Sequence, residues 1–478
     1  MSERRQRPHF LALGALTLAV ACGGSEPERP RHPQGEEQLV VLLIVDTLRQ
    51  DALGCYGRAD AETARIDALA AEGVRFDQAF ATSGWTLPSV ASMLTGTWPS
   101  MHKALGKVSR LTPISTELPV LAEVYREAGW TTLGFANAAF LSPLLGLDRG
   151  FDVFDHEHAY NWDIRRADAT VDSALSALDQ RPGEDVFLLL HLFDAHLDYD
   201  PPDGYLEPFV GARRTPEPPV SMKECLELRQ ADGEAPPSGA DLDYIRGVYQ
   251  GEVAFVDRAV GRLVDGLQEL ERWDRTSIVL TSDHGEEFWE HGGFEHGHTL
   301  YDELVRVPLI VRTPTSGSGA VHEVDPLVRT IDIAPTLLAL SQLNSPPSFL
   351  GQSLVPHLTG EPVGAVRPAF SQSTLYGAEK MAWRTDSWCL IVDQAVEGPD
   401  GIELYDMQAD PGQTRNLAAE RPEVRDQLVR TFQRFTRELQ QRAASIATPE
   451  VQDMGPTTIK KYLESLDTLG YTGRDEDE

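Results

Sequence analysis

Between Val40 and Val45 the chain reads VVLLIV, an unbroken run of apolar residues with no polar alternation, and it stops at Asp46. Such a run predicts a strand buried on both faces, with Asp46 at its carboxyl end. Two later stretches repeat the design. Val186 to Leu192 runs into Phe193-Asp194-Ala195-His196, and Ser277 to Leu280 runs into Thr281-Ser282-Asp283-His284-Gly285-Glu286. In open α/β sheets, ligands and ions are held at the carboxyl edge, where loops converge, so three strands deliver acids and histidines to one rim.

Between these runs the apolar period lengthens to that of helices. Ile66, Leu69 and Ala70 predict a helix within Thr63–Gly73, ended by Gly73. The segment Ser83 to Gly96 reads as a loop entering a helix: Pro88 fits only a first turn and Gly96 ends it. Thr86 then lies at the helix mouth, where free N–H groups and the dipole favour an anion. A helix is expected over Leu118–Ala128 and a strand over Trp130–Ala136, leading to Asn137. From Ala240 to Leu270, Tyr249, Val253, Val256, Val260, Leu263 and Leu267 form one helical stripe, with Asp257 and Arg258 read as its solvated flank.

Beyond about residue 365 the pattern shortens. Met381–Trp383 and Cys389–Val392 predict strands of a small antiparallel sheet, and Pro422 opens a helix with Val424, Leu428, Phe432, Phe435 and Leu439 on one face. The expected fold is α/β: a large mixed, mostly parallel sheet flanked by helices, with a small C-terminal antiparallel sheet and helix. The acidic tail Arg474 to Glu478 reads as disordered, and there is no internal repeat.

Composition narrows the functional classes. With 478 residues and 41% hydrophobic content the chain can bury a large core, and a formal charge of −32 argues against nucleic acid or an anionic lipid surface as partner. Arg4, Arg5 and Arg7 precede the apolar segment Phe10–Val20, which is too short to span a bilayer and reads as a signal peptide. The junction Leu18-Ala19-Val20-Ala21-Cys22 resembles a bacterial lipoprotein signal, which implies cleavage before Cys22 and lipidation of its thiol. An ordinary secreted protein with an incidental cysteine is the plainer alternative. The expected organisation is a signal peptide over 1–21, a tether over 22–37, a catalytic domain over 38–365 and a C-terminal subdomain over 366–478. Lipid anchoring would put the protein in a bacterial cell envelope. Cys55, Cys225 and Cys389 allow at most one internal disulfide and imply no cysteine metal site.

Asp46, Asp283 and His284 are a candidate ligand set for one divalent ion. Two carboxylates and an imidazole suit zinc or manganese better than calcium, while adjacent residues on a loop leave calcium or magnesium open. A hydroxyl from Thr86 would complete the shell, and coordination would turn it into a nucleophile. His196, just beyond a buried strand, belongs to the same rim. Arg49 and Asp51 read as capping the first turn after the strand.

These motifs resemble those of the sulfatase family of the alkaline phosphatase superfamily. The matches are Asp46-Thr47-Leu48-Arg49-Gln50-Asp51 before Leu53-Gly54-Cys55-Tyr56-Gly57, Pro88-Ser89 with Thr95-Gly96, His191 to His196 before Pro201-Pro202, and Ser282 to Glu286. Arg306-Val307-Pro308-Leu309-Ile310, Ala334 to Leu338, Gly351 to Leu354 and Glu403 to Asp406 follow in the family's order. The resemblance implies an ester hydrolase with the nucleophile at Thr86, the metal at Asp46, Thr86, Asp283 and His284, and His196 and His298 serving the leaving group.

The chain also departs from the family. Thr86-Leu87-Pro88-Ser89-Val90 stands where the family has a C-x-P-S-R motif, so no formylglycine can form. Thr47 replaces a second aspartate, and Asn137-Ala138-Ala139 replaces a lysine-histidine pair. His296 and His298 are the nearest candidates for a late lysine; His291 and His296 read as outer residues. A threonine nucleophile resembles lipoteichoic acid synthases and phosphoethanolamine transferases, so sulfate and phosphate esters compete as substrates. The expected activity is a metal-dependent hydrolase of sulfuric or phosphoric esters, a sulfatase or phosphodiesterase. A surface phosphotransferase and an inactive binding lipoprotein are the alternatives. Oligomeric state is not legible.

Overall fold

The structure is a computed structural model, and it describes residues 37–107, 110–156, 164–210, 237–315, 322–449 and 466. The signal, the tether, Cys22, Cys225 and the acidic tail lie outside the described residues, as do parts of the two loops after Phe140 and Tyr205.

In chain order the strands are β1 (Leu39–Val45), β2 (Val74–Phe80), a hairpin of β3 (Gly106–Lys107) and β4 (Arg110–Leu111), β5 (Thr131–Phe135), β6 (Val153–Asp155), β7 (Val186–Leu192) and β8 (Thr276–Ser282). A hairpin of β9 (Glu287–Phe288) and β10 (Phe294–Glu295) follows, then β11 (Arg306–Arg312), β12 (Glu323–Val324) and β13 (Val328–Arg329). Among the described residues the main sheet runs β12-β2-β11-β8-β1-β7-β5-β6, with β13 also on β2. It is parallel from β8 to β6, while β11 pairs antiparallel with both β8 and β2. The large mixed, mostly parallel sheet is therefore as expected.

Every residue of β1, β7 and β8 is buried, which is why their sequences carry no polar alternation. Helices cover the sheet, including α1 (Ala64–Glu72), α2 (Thr86–Thr95), Ala167–Asp179 and the long helix Gly239–Glu269. One expectation on that long helix fails. Asp257 is 6% exposed and accepts the backbone N–H groups of Arg65 (3.0 Å) and Ile66 (2.7 Å), so it caps α1 instead of lying on a solvated face. Arg65 and Ile66 are the second and third residues of α1, where free N–H groups need acceptors.

A second sheet, β14 (Ala369–Gln372), β15 (Lys380–Arg384), β16 (Trp388–Asp393) and β17 (Ile402–Asp406), is antiparallel throughout. Phe432 and Leu439 of the helix Pro422–Ala443 pack against it beside Phe370, Trp383 and Leu390. This sheet also grips the main one: Gln372 N–H donates to Thr82 O (2.8 Å), Ser371 Oγ donates to Ala81 O (2.6 Å) and Ser83 Oγ donates to Ser373 O (3.0 Å). The loop leading into α2 is thus held by both sheets.

Candidate active site

The register of the central strands builds the site. Val45 of β1 lies level with Leu192 of β7 and Ser282 of β8, so the next residues, Asp46 and Asp283, leave the sheet side by side at its carboxyl edge. One residue short of that edge, His191 of β7 reaches Asp46 Oδ2 with its Nε2 at 3.4 Å. Asp46, His191 and Asp283 are all fully buried, and their ligand atoms lie within 4.8 Å of one another.

The expected quartet does assemble. Thr86 opens α2, and its Oγ1 lies 3.3 Å from His284 Nε2. The same nitrogen is 3.4 Å from Asp283 Oδ2 and 3.6 Å from Asp46 Oδ1. His284 Nδ1 lies 2.9 Å from Gly285 O; the carbonyl only accepts, so Nδ1 carries the hydrogen and Nε2 offers its lone pair to this cluster. Gly285 is required by crowding, since a Cβ there would come within 2.0 Å of Glu303 O. Ser89 Oγ of α2 donates to Asp283 O (2.6 Å), which couples the helix to the β8 rim. Thr86 is only 1% exposed, so the helix mouth is closed over by its surroundings.

Among the described residues, both oxygens of Asp46, Oδ2 of Asp283 and both ring nitrogens of His191 are buried without a hydrogen-bond partner. Unpaired buried carboxylates are costly. Burial and the neighbouring Asp283 push the Asp46 carboxyl up to about 7. Spacings of 3.3–3.6 Å resemble those between ligands on one divalent ion, about 3 Å or slightly more for metal–ligand bonds of about 2.1 Å. These acid and imidazole groups can bind a metal ion, and the orphaned atoms fit one.

Two residues that replace family positions have structural partners. Thr47, at φ 54°, donates Oγ1 to Ala195 O (2.6 Å) and ties the β1 loop to the β7 loop. Asn137 Nδ2 donates to His191 O (2.8 Å) and Thr170 Oγ1 (2.7 Å), while its Oδ1 accepts from Arg165. Arg49 pairs with Asp51 (2.7 Å) and Glu290 (2.9 Å) and donates to Glu286 O (2.7 Å).

The histidine wall differs from the expected one. His196 is in the rim, 4% exposed, with its ring 5.0 Å from that of His296. His296 in turn packs 4.4 Å from His284, and its Nδ1 bonds Glu286 Oε1 at 2.8 Å. His298 is instead turned to Glu287 Oε2, at 2.8 Å. The two are separated by Gly297, at φ +82°, whose turn sends the histidines to different carboxylates. Tyr199 donates to the other oxygen of Glu286 (2.8 Å), and burial pushes that carboxyl up to about 7. His191 and Glu286 are given no role by the sequence alone, and His296, expected as an outer residue, instead packs against His284 and His196. Burial holds His196 below its ordinary range, opposed first by the charge of Asp46.

His196 also lines a cavity of about 300 Å³ with Arg165, Arg166, Asp194 and Glu252. A larger groove, about 1350 Å³, runs past Arg65, Asp172 and Arg262 and contains none of the cluster.

A buried acid and histidine cluster at the carboxyl edge of a mixed sheet, with a hydroxyl at a helix mouth, defines a class. The family model for sulfatases matches residues 38–343, and the chain belongs to the sulfatase family. It is a hydrolase of that family. A second model, for the C-terminal region of N-sulphoglucosamine sulphohydrolase, matches residues 289–442.

Among its relatives, an uncharacterized sulfatase of Escherichia coli (strain K12), YidJ, is 26% identical over 79% of this chain and 82% of its own. The N-acetylglucosamine-6-O-sulfatase of Bacteroides thetaiotaomicron is 24% identical, covering 85% of this chain and 86% of its own. The phosphonate monoester hydrolase of Agrobacterium radiobacter has the same fold, with a TM-score of 0.69 at 22% identity, over 84% of this chain and 96% of its own.

Proposed function

We propose that this chain is a metal-dependent hydrolase of sulfuric or phosphoric esters that works through a covalent ester on Thr86. The observation that carries the reading is the Thr86 hydroxyl at the start of α2, 3.3 Å from His284 Nε2 and beside the orphaned oxygens of Asp46 and Asp283. Asp46, Asp283, His284 and Thr86 would hold one divalent ion, with His191 as a further ligand on β7. Bound there, such an ion would lower the pKa of the Thr86 hydroxyl and offset negative charge on the oxygens of the group being transferred.

The chain's own groups supply the rest. Thr86 Oγ attacks sulfur or phosphorus, and the bond to the ester oxygen breaks. A neutral imidazole takes the threonine proton and returns it to the departing alcohol. His196 and His296 face the cluster and suit this role, whereas His298 is engaged by Glu287. Water then attacks the Thr86 ester at the same central atom, releasing inorganic sulfate from a sulfate ester, or a phosphate monoester from a phosphodiester, and restoring the hydroxyl. Glu286, bonded by Tyr199 and His296, orients the second imidazole. The sulfatases among the relatives favour a sulfate ester; the phosphonate hydrolase neighbour keeps phosphorus in view.

The amino-terminal segment supports an envelope location, with cleavage before Cys22, a lipid on its thiol and residues 22–37 as a tether. Incubation with paired aryl sulfate and aryl phosphodiester substrates, followed by mass spectrometry of the Thr86 peptide, tests the reaction. A sulfuryl or phosphoryl adduct on Thr86 supports the reading and names the ester. Turnover with no adduct in a rapid-quench series, under conditions where hydrolysis of the adduct is rate-limiting, would sink it.

A further inference from the structure

Glu286 and Glu287 are consecutive, and their carboxylates go different ways. Glu286 meets His296 and Tyr199 in the reaction centre, whereas Glu287 meets His298 and the turn of the β9–β10 hairpin. There a second set of metal-ligating groups converges. Ligand atoms of Glu287, His291 and Glu303 lie within 4.8 Å of one another, and His298 Nε2 is 2.8 Å from Glu287 Oε2. The side chains are 0% exposed at Glu287, 8% at Glu303, 12% at His291 and 17% at His298, so the group is sheltered yet reachable.

Two of the donors, His291 and Glu287, are already oriented by their other ends. His291 Nε2 lies 3.2 Å from Gln413 O, which only accepts, so that nitrogen carries a hydrogen, and a divalent ion would displace the proton that Nδ1 gives to Glu303. Nδ1 faces Glu303 Oε1 at 2.6 Å, and the Tyr301 ring, stacked at 3.7 Å, fixes the plane of the imidazole. Glu287 Oε1 accepts the N–H groups of His291 (3.0 Å) and Gly293 (2.7 Å), and its Oε2 meets His298 Nε2 (2.8 Å), the contact into which an ion would insert. A histidine whose far nitrogen donates to a carbonyl is the usual support of a metal-bound imidazole.

We propose that Glu287, His291, Glu303 and His298 form a second divalent-cation site, selective for zinc. Two carboxylates and two imidazoles match zinc in number and type, whereas calcium and magnesium prefer oxygen shells. Ligand atoms on tetrahedral zinc are about 3.4 Å apart, so the pairs at 2.6 and 2.8 Å open by somewhat more than half an ångström. The ion would pin the hairpin turn through His291, its root through Glu287, and the helix Asp302–Val305 through Glu303. The hairpin ends in Glu286 and His296, so the second site would stiffen one wall of the reaction centre.

The test uses the full purified chain, stripped with chelator and titrated with zinc, with stoichiometry read by elemental analysis and native mass spectrometry. Two zinc ions per chain are expected in the parent, one in Glu303→Gln and in His291→Gln, one in Asp283→Asn, and none in Asp283→Asn with Glu303→Gln. Zinc should raise the Tm of Asp283→Asn and leave that of the double variant unmoved; two single variants guard against one that misfolds. A single parental zinc that is lost in Asp283→Asn but kept in Glu303→Gln overturns the inference. So do two ions that persist in both Glu303→Gln and His291→Gln. A single zinc lost only in Glu303→Gln would uphold the second site and leave the reaction centre to a divalent ion other than zinc.

Discussion

Replacing Thr86 separates nucleophile from scaffold. The residue is 1% exposed and begins α2, so any change there touches packing as well as chemistry. Thr86→Ser keeps the hydroxyl and deletes one buried methyl, a loss of about 1 kcal/mol in stability. Freed from β-branching, the serine hydroxyl samples further rotamers, which should lower turnover by roughly threefold. Thr86→Val keeps the shape and removes only the hydroxyl. The lost contact to His284 Nε2 is long, at 3.3 Å, so its stability cost should stay at about 1 kcal/mol. Its turnover, like that of Thr86→Ala, should fall by about a thousandfold or more, equivalent to about 4 kcal/mol in the barrier. Initial rates and burst amplitudes on aryl sulfate and aryl phosphodiester substrates, beside urea midpoints for each variant, separate the two effects. A folded Thr86→Val or Thr86→Ala within tenfold of the parent would refute covalent catalysis at this residue and would leave direct attack by water.

Other outcomes follow from the same geometry. Asp283→Asn neutralises a carboxylate whose Oδ2 has no hydrogen-bond partner, so metal affinity and turnover should drop together and excess metal should restore part of both; unchanged affinity by calorimetry would relocate the metal. Asp257→Ala strips two N–H groups of α1 of their acceptor and should cost about 1–3 kcal/mol in urea unfolding; a change below measurement error would contradict the capping role. Glu252 is held by burial at about 8, against 4.5 for an ordinary glutamate. The folded state therefore keeps a proton that the unfolded chain has lost, so its contribution is full below about 4.5 and disappears as pH rises through about 8. Glu252→Gln should flatten the decline in stability between pH 5 and 8.5; an unaltered slope would assign that decline to other groups. Cys22→Ser should move the full-length chain from membrane to soluble fractions, and retention in membranes after signal cleavage would end the lipoprotein reading.

Much of the frame is written locally. The apolar runs at Val40 and Val186 could only be strands covered on both faces, and β1 and β7 span Leu39–Val45 and Val186–Leu192. Pro88 and Gly96 bracket a helix because of what each does to the backbone, and α2 ends on Gly96 at φ +57°. Asp46 and Asp283 were legible for the same reason: an acid that ends a buried strand must lie at its edge.

Which partners those acids meet is another matter. His191 reads as one more residue of an apolar strand, and only the pairing of β7 with β1 brings it beside Asp46. Asp257 looks like a helix flank until α1, about 190 residues away in sequence, lays its N–H groups against it. His296 and His298 have the same local pattern, yet the left-handed turn at Gly297 gives one to Glu286 and the other to Glu287. Strand identity and helix ends follow from short-range sterics and hydrophobic period, which every stretch carries within itself. The partners of Asp46 and Asp257 depend on contacts between segments a hundred or more residues apart, which only the assembled fold makes, while the sorting of the two histidines depends on the backbone turn between them.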